Sequence, residues 1–119
     1  MQDFRKLKVW EKSHQLALEL YRVTRAFPAH ERFGITDQIR RASMSIAANI
    51  VEGTARATDR DTARFLRISL ASTAELQYHL LFVHDIGLLP DPAYSEFEQR
   101  TIEIKRMLSG LIRRLKTDG

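Results

Sequence analysis

Four long stretches of this chain repeat their apolar residues every three or four positions, and two of them end at a residue that breaks or caps a helix, Pro28 and Gly87. A helix buries positions i, i+3, i+4 and i+7 on one face whereas a strand alternates, so this spacing excludes a sheet as the main scaffold. The first stretch, about Val9 to Phe27, places Trp10, Ala17, Leu20, Tyr21, Thr24 and Phe27 on one stripe. It stops at Pro28, whose ring cannot continue the backbone ladder. The second, about Thr36 to Ala57, carries Ile39, Ala42, Ile46, Ile50 and Gly53, with Thr36 as the expected N-cap. The third, about Asp59 to Ile86, is announced by Thr58-Asp59-Arg60-Asp61, a capping box with Asp in place of Glu. It should extend about 40 Å and end at Gly87 as C-cap. Asp91-Pro92 supplies an N-cap and a proline at the first helical position. The fourth helix then runs from about Pro92 to Lys116, with Tyr94, Phe97, Thr101, Ile104, Leu108, Leu111 and Leu115 on its stripe.

Long helices joined by short connections pack beside their sequence neighbours, so the expected fold is all-α, an antiparallel up-down-up-down four-helix bundle. With no repeat, low-complexity tract or long linker, residues 1–119 read as a single domain. A chain of 119 residues, 44% hydrophobic, can hold a core without a disulfide or a structural metal. The absence of Cys removes zinc-thiolate sites, iron–sulfur clusters and thiol nucleophiles together, and it fits a reducing compartment. No signal-peptide run or membrane-length apolar segment occurs, so the expectation is a soluble cytoplasmic protein with no membrane contact.

One bundle does not use up all of the apolar surface. On the third helix Phe65, Ser69, Ser72, Leu76, Leu80 and Val83 form one seam, and Leu66, Leu70, Thr73 and Leu81 a second, rotated by about 100°. The second seam reads either as the edge of a wide core stripe or as a surface buried in an oligomer. Ala42, Ser43, Ser45, Ala47 and Ala48 narrow the second helix on several sides, so other helices can approach it closely. Gly110, inside the fourth helix, suggests a contact too tight for a side chain.

The apparatus of catalysis is missing from the sequence. There is no nucleophile elbow, phosphate loop or dinucleotide fingerprint, so the expectation is no enzyme, no catalytic residues and no cofactor. Glu11-Lys12-Ser13-His14 holds one Glu-x-x-His, but a di-iron bundle needs two copies and a Glu from each other helix, so no metal is expected. Glu75 and His79, four apart, are placed to share a hydrogen bond or ion pair.

The most distinctive stretch lies in the second helix. Arg41, Ser45, Asn49, Glu52 and Arg56 follow a continuous polar line beside the Ile39–Ile46–Ile50 seam. It reads as a solvated face, as a hydrogen-bonded network at a helix or subunit junction together with Leu66 and Leu70, or as part of a ligand site. Ser and Asn are poor helix formers, which favours a specific contact.

At this stretch the chain resembles the four-helix bundle family of large-subunit rRNA intervening-sequence proteins, which also includes the accessory variability determinant of diversity-generating retroelements. The resemblance is carried by Leu7-Lys8-Val9-Trp10, by Phe27-Pro28 with Glu31 and Phe33-Gly34, by Gln38-Ile39-Arg40-Arg41-Ala42 with Ser45-Ile46, Asn49-Ile50, Glu52-Gly53 and Arg56, and by Phe65-Leu66, Ser72 and Glu75-Leu76. Ala47 departs from the pattern, where many members carry proline. The resemblance implies a helical protomer in a cyclic homo-oligomer, a pentamer, and for some relatives binding of structured RNA and of a reverse transcriptase.

Charge decides little alone, since 19 Lys+Arg against 15 Asp+Glu give +4. Its distribution is more telling. Lys105, Arg106, Arg113, Arg114 and Lys116 lie in one stretch without acids, and Arg56, Arg60, Arg64 and Arg67 form a near-linear row relieved by Asp59 and Asp61. The C-terminal cations also complement the helix dipole. Lys105, Arg106, Arg113, Arg114, Lys116, Arg60 and Arg64 are the candidate nucleic-acid contacts, acting on RNA or DNA phosphates and multiplied by cyclic symmetry. The alternative is a protein-interaction scaffold that positions a partner without touching nucleic acid.

Overall fold

The computed structural model describes residues 3–115, so Lys116 lies outside the described residues. The fold is all-α, with helices α1 (Lys8–Thr24), α2 (Ile35–Thr54), α3 (Asp59–Asp85) and α4 (Asp91–Arg114), and short 3-10 turns at Phe4–Lys6 and Ala29–Glu31. Among the described residues there is no strand. Each helix packs on its neighbour in sequence, and α1 also packs on α4, which closes the ring of four around one core. Leu16 and Leu20 of α1, Ile39, Ile46 and Ile50 of α2, Leu66, Leu76 and Leu80 of α3, and Phe97, Ile104 and Leu108 of α4 are fully buried there.

α3 starts at Asp59 as expected, and the other helix ends differ from the expectations by one to three residues, several for a clear local reason. α1 ends at Thr24 rather than Phe27, because the N–H groups of Arg25, Ala26 and Phe27 tighten onto carbonyls three residues back. The residue before a proline avoids helical backbone, so Phe27 leaves the helix ahead of Pro28. At the start of α2 the cap is Gly34 and not Thr36, which lies one residue inside the helix. The 3-10 turn runs on into Gly34, whose N–H bonds the Glu31 carbonyl, and the Gly34 carbonyl accepts from Gln38. α2 ends at Thr54 rather than Ala57, since the chain must turn in time for Thr58 to cap α3. That cap forms as expected, with Thr58 Oγ1 accepting the Asp61 N–H at 3.1 Å. Gly87 takes φ +86°, the left-handed conformation that closes α3. Asp91 is the first residue of α4 and not its cap, because its carboxylate turns back to His84. Ala47 sits within an uninterrupted α2.

Of the two readings of the second seam of α3, the wide core stripe holds for Leu66 and Thr73. Thr62, Leu66, Ser69, Thr73, Leu76, Leu80 and Val83 form its buried stripe, so Leu66 and Thr73 belong to the core of this chain. Leu66 is therefore not left over for a second copy. Leu70 packs half-buried against the core, and Leu81 is 40% exposed. The expected Glu75–His79 pair does not form, since His79 Nε2 is buried without a partner among the described residues.

Three hydroxyl contacts join α2 to α3. Thr62 donates to the Gly53 carbonyl at 2.8 Å, Ser69 to the Ile46 carbonyl at 2.8 Å, and Ser45 shares a 2.8 Å bond with Ser72. Helix backbones reach hydroxyls on a neighbour only when the residues between them are small. A Cβ on Gly53 would stand 3.3 Å from both the Phe65 Cβ and the Thr62 carbonyl oxygen, neither of which can easily yield. Gly110 is different. A Cβ there meets only the tip of Arg113, at 3.8 Å, so no tight contact explains that glycine.

The α3–α4 connection is held by His84, which stacks on Tyr94 with ring centroids 4.3 Å apart. Its hydrogen bond to Asp91 is the main cause of a pKa raised above the ordinary histidine value, with Asp85 adding to it.

Two outcomes follow. Gly53→Ala should cost about 1–3 kcal/mol through overpacking, whereas Gly110→Ala should gain up to about 1 kcal/mol of helix propensity, both read from urea unfolding midpoints. Because the folded-state pKa of His84 is raised, its contribution to stability is full below about pH 6.5 and fades as pH rises through the folded value. Replacing Asp91 by Asn should remove the largest part of that pH dependence, measured by thermal unfolding across pH 5 to about 8.

Candidate nucleic-acid interface

The last turns of α4 and the segment Lys6–Val9 meet at one end of the fold. Between them lies a cleft of about 500 Å³, walled by apolar Leu7, Val9, Met107 and Leu111 and by Gly110. Four cations line it, Lys6 and Lys8 from the chain start and Arg106 and Arg114 from α4. A shallower hollow of about 300 Å³ adjoins it through Arg106 and adds Lys105, Arg113, Ile102 and Ser109.

Exposure and pairing set what these cations can do. Lys6, Lys8, Arg106, Arg113 and Arg114 are exposed, and Lys105 is half-buried. Several other surface cations are neutralised by a carboxylate: Arg41 by Asp37, Arg56 by Glu52, Lys12 by Glu103, and Arg100 by Glu19 and Glu96. The six around the cleft have no ion-pair partner among the described carboxylates. A cation with no local partner and an apolar wall behind it keeps a stronger field than one paired on a flat surface.

The candidate residues therefore divide. Lys105, Arg106, Arg113 and Arg114 are brought together, whereas Arg60 and Arg64 stand on the first turns of α3 and line neither hollow. Arg64 lies over the Phe65 ring at 4.7 Å, as does Arg56. Lys116 falls outside the described residues. Lys6 and Lys8 were missed by counting charges along the sequence. An up-down arrangement of four helices would have pointed to them, since it sets the start of the first helix beside the end of the fourth.

The polar line of α2 is not one network. Its ends are exposed intrahelical ion pairs, Arg41 with Asp37 and Arg56 with Glu52. Its centre is a contact between helices, where Asn49 donates to the Ser45 carbonyl at 2.8 Å and to Ser45 Oγ at 3.0 Å while Ser45 meets Ser72. Beside it, α3 leaves an apolar face uncovered: Ile68 is 41%, Tyr78 60% and Phe82 42% exposed. Tyr78, His79 and Phe82 join Gly34, Ile35 and Gln38 around a hollow of about 310 Å³. His14 stacks on Trp10, with ring centroids 5.0 Å apart.

Four packed helices with a cationic cleft where the two chain ends meet define the class, a small all-helical protein. The chain is matched over residues 5–110 by the family model described as 23S rRNA-intervening sequence protein, and it belongs to that family. The match takes in Lys6, Lys8, Lys105 and Arg106 and stops short of Arg113 and Arg114. A crystal structure from Bacteroides thetaiotaomicron, of a protein with unknown function from the S23 ribosomal protein family, is similar with a TM-score of 0.80 at 25% identity. The likeness covers 88% of this chain and 98% of that one. No curated protein matches the chain. Among the described residues no helix is long and apolar enough to cross a membrane.

Proposed function

We propose that this chain is a non-enzymatic, cytoplasmic accessory protein, an up-down-up-down bundle that assembles into a cyclic homopentamer and binds structured RNA through backbone phosphates. The observation that carries the RNA reading is the cleft lined by Lys6, Lys8, Arg106 and Arg114, none paired with a described carboxylate. The family description, which refers to 23S rRNA, supports it. Lys and Arg on phosphates position a nucleic acid without reading its bases, so shape rather than sequence would set the preference. Pairings of Lys12 with Glu103, Arg100 with Glu19, and Ser69 with Ile46 support opposed neighbouring helices. The uncovered Tyr78–Phe82 face supports self-association, which repeats each cleft around a ring.

Two measurements test this reading. Arg106→Glu with Arg114→Glu should weaken binding of a structured RNA at least about tenfold and flatten the dependence of log affinity on log salt by roughly 1 to 2. Binding that ignores both salt and the double substitution would refute the cleft. Light scattering should give a mass near five chains, falling toward one chain for Tyr78→Ser with Phe82→Glu. A monomeric parent protein would overturn the assembly.

A further inference from the structure

At the other end of α1, where it turns into α2, a further cationic cavity of about 220 Å³ is walled by Thr24, Arg25, Arg32, Thr36 and Arg40 over Phe27 and Pro28. No carboxylate among the described residues lines it. The nearest ones in sequence are engaged elsewhere, Glu31 with His30 and Asp37 with Arg41.

Arg40 is the fixed member. Its Nε donates to Thr24 Oγ1 at 2.9 Å, an Nη donates to the Tyr21 carbonyl at 3.2 Å, and the guanidinium lies 3.9 Å from the Tyr21 ring centroid. Every one of these partners is neutral. A half-buried guanidinium held by three neutral groups keeps its whole charge while losing much of its freedom to move. Arg25 lies 5.5 Å from the Tyr21 ring centroid and Arg32 5.3 Å from that of Phe33, and neither has an ion-pair partner among the described carboxylates.

A separate feature points the same way. Thr36 is only 4% exposed, stands in the wall of this cavity, and its Oγ1 has no partner among the described residues. A buried hydroxyl without a partner costs stability and calls for a reason. Thr has two accessible χ1 wells in a helix, so the hydroxyl is not confined to the orientation that leaves it unpartnered. It also sits in the first turn of α2, where backbone N–H groups await acceptors and the helix dipole favours an anion.

From the three arginines, the orphaned hydroxyl and the helix start together, we infer that this cavity binds a phosphate monoester. A doubly charged phosphate has the acceptors to take guanidinium and hydroxyl donors at once, and a cavity of about 220 Å³ has room for the phosphate and part of the group that carries it. The ligand is either a small phosphorylated metabolite or the phosphorylated end of an RNA. The site is separate from the cleft at the chain ends and goes beyond the RNA reading, so either can fail alone.

Calorimetric titration of the full chain with inorganic phosphate, with adenosine monophosphate, and with a short oligoribonucleotide bearing either a 5′-phosphate or a 5′-hydroxyl tests it. Phosphate and the monophosphate should bind at millimolar concentration or below, and the 5′-hydroxyl oligomer should lose the component that the 5′-phosphate one shows. An RNA end is the source if the 5′-phosphorylated oligomer binds about tenfold tighter than the mononucleotide; equal affinity assigns a small metabolite. Arg40→Gln also loses contacts that hold α1 to α2, so Arg25→Gln and Arg32→Gln carry the test, each weakening phosphate about tenfold. Thr36→Val separates ligand binding from packing: it should leave unfolding unchanged or raise its midpoint while weakening phosphate severalfold. Absence of phosphate binding overturns the site. So does binding that survives all three substitutions but is lost with Arg106→Glu and Arg114→Glu.

Discussion

The close approach of α2 to α3 is the constraint from which the rest of this fold follows. Gly53 lets the α3 backbone come near enough for Thr62 to reach its carbonyl, and Ser69 repeats the arrangement two turns along at Ile46. Hydroxyls buried in such a seam are costly unless satisfied, and here they are satisfied by helix carbonyls across the interface or one turn back, as with Thr73 on Ser69. With α2 so near on one side and α4 on the other, α3 buries a broad stripe from Thr62 to Val83. Its outer side then carries Ile68, Tyr78 and Phe82 into solvent, which is how a core decision creates the apolar face outside.

Much of this was legible in the sequence, and the limits have physical causes. Four helices, the Thr58 cap and the Gly87 stop could be read because spacing, capping chemistry and positive φ are local properties. Thr36 and Asp91 were misread as caps because a cap is chosen by what the neighbouring backbone and side chains offer. The 3-10 turn before Gly34 moved one start, and His84 drew Asp91 away at the other. Whether Leu66 faces the core or a second copy is left open by the sequence for a related reason, since periodicity gives the angle between two stripes and not which partner each one meets. The same blindness hid Lys6 and Lys8. Their importance comes from a junction of the first and last helices, about a hundred residues apart in the chain.

Net charge is a poor guide to where an anion would settle on this protein. Several of its acids are spent in ion pairs on α1, α2 and α4, as Glu19 with Arg100 and Asp37 with Arg41 illustrate. Of the cations without a described ion pair, six gather around the cleft and its adjoining hollow and three at the α1–α2 turn, while Arg60, Arg64 and Arg67 stand apart on α3. Helix geometry contributes to both, since chain turns expose backbone groups, and long cationic side chains there can spread over apolar surface while their heads stay in water.

The two cationic hollows nonetheless differ in kind, and the difference lies in side-chain freedom. Lys6, Lys8, Arg106 and Arg114 are exposed around an open apolar cleft, so ordering them on a ligand costs rotamer entropy. Such a surface suits many weak, exchangeable contacts along a polyanion, where affinity comes from the number of phosphates engaged. Arg40 is already oriented by Thr24 and Tyr21 before any ligand arrives. A preorganised guanidinium beside a small cavity concentrates its interaction on one phosphate, because less ordering must be offset on binding. The fold thus separates a broad, adaptable cationic surface at the chain ends from a compact, fixed one at the α1–α2 turn.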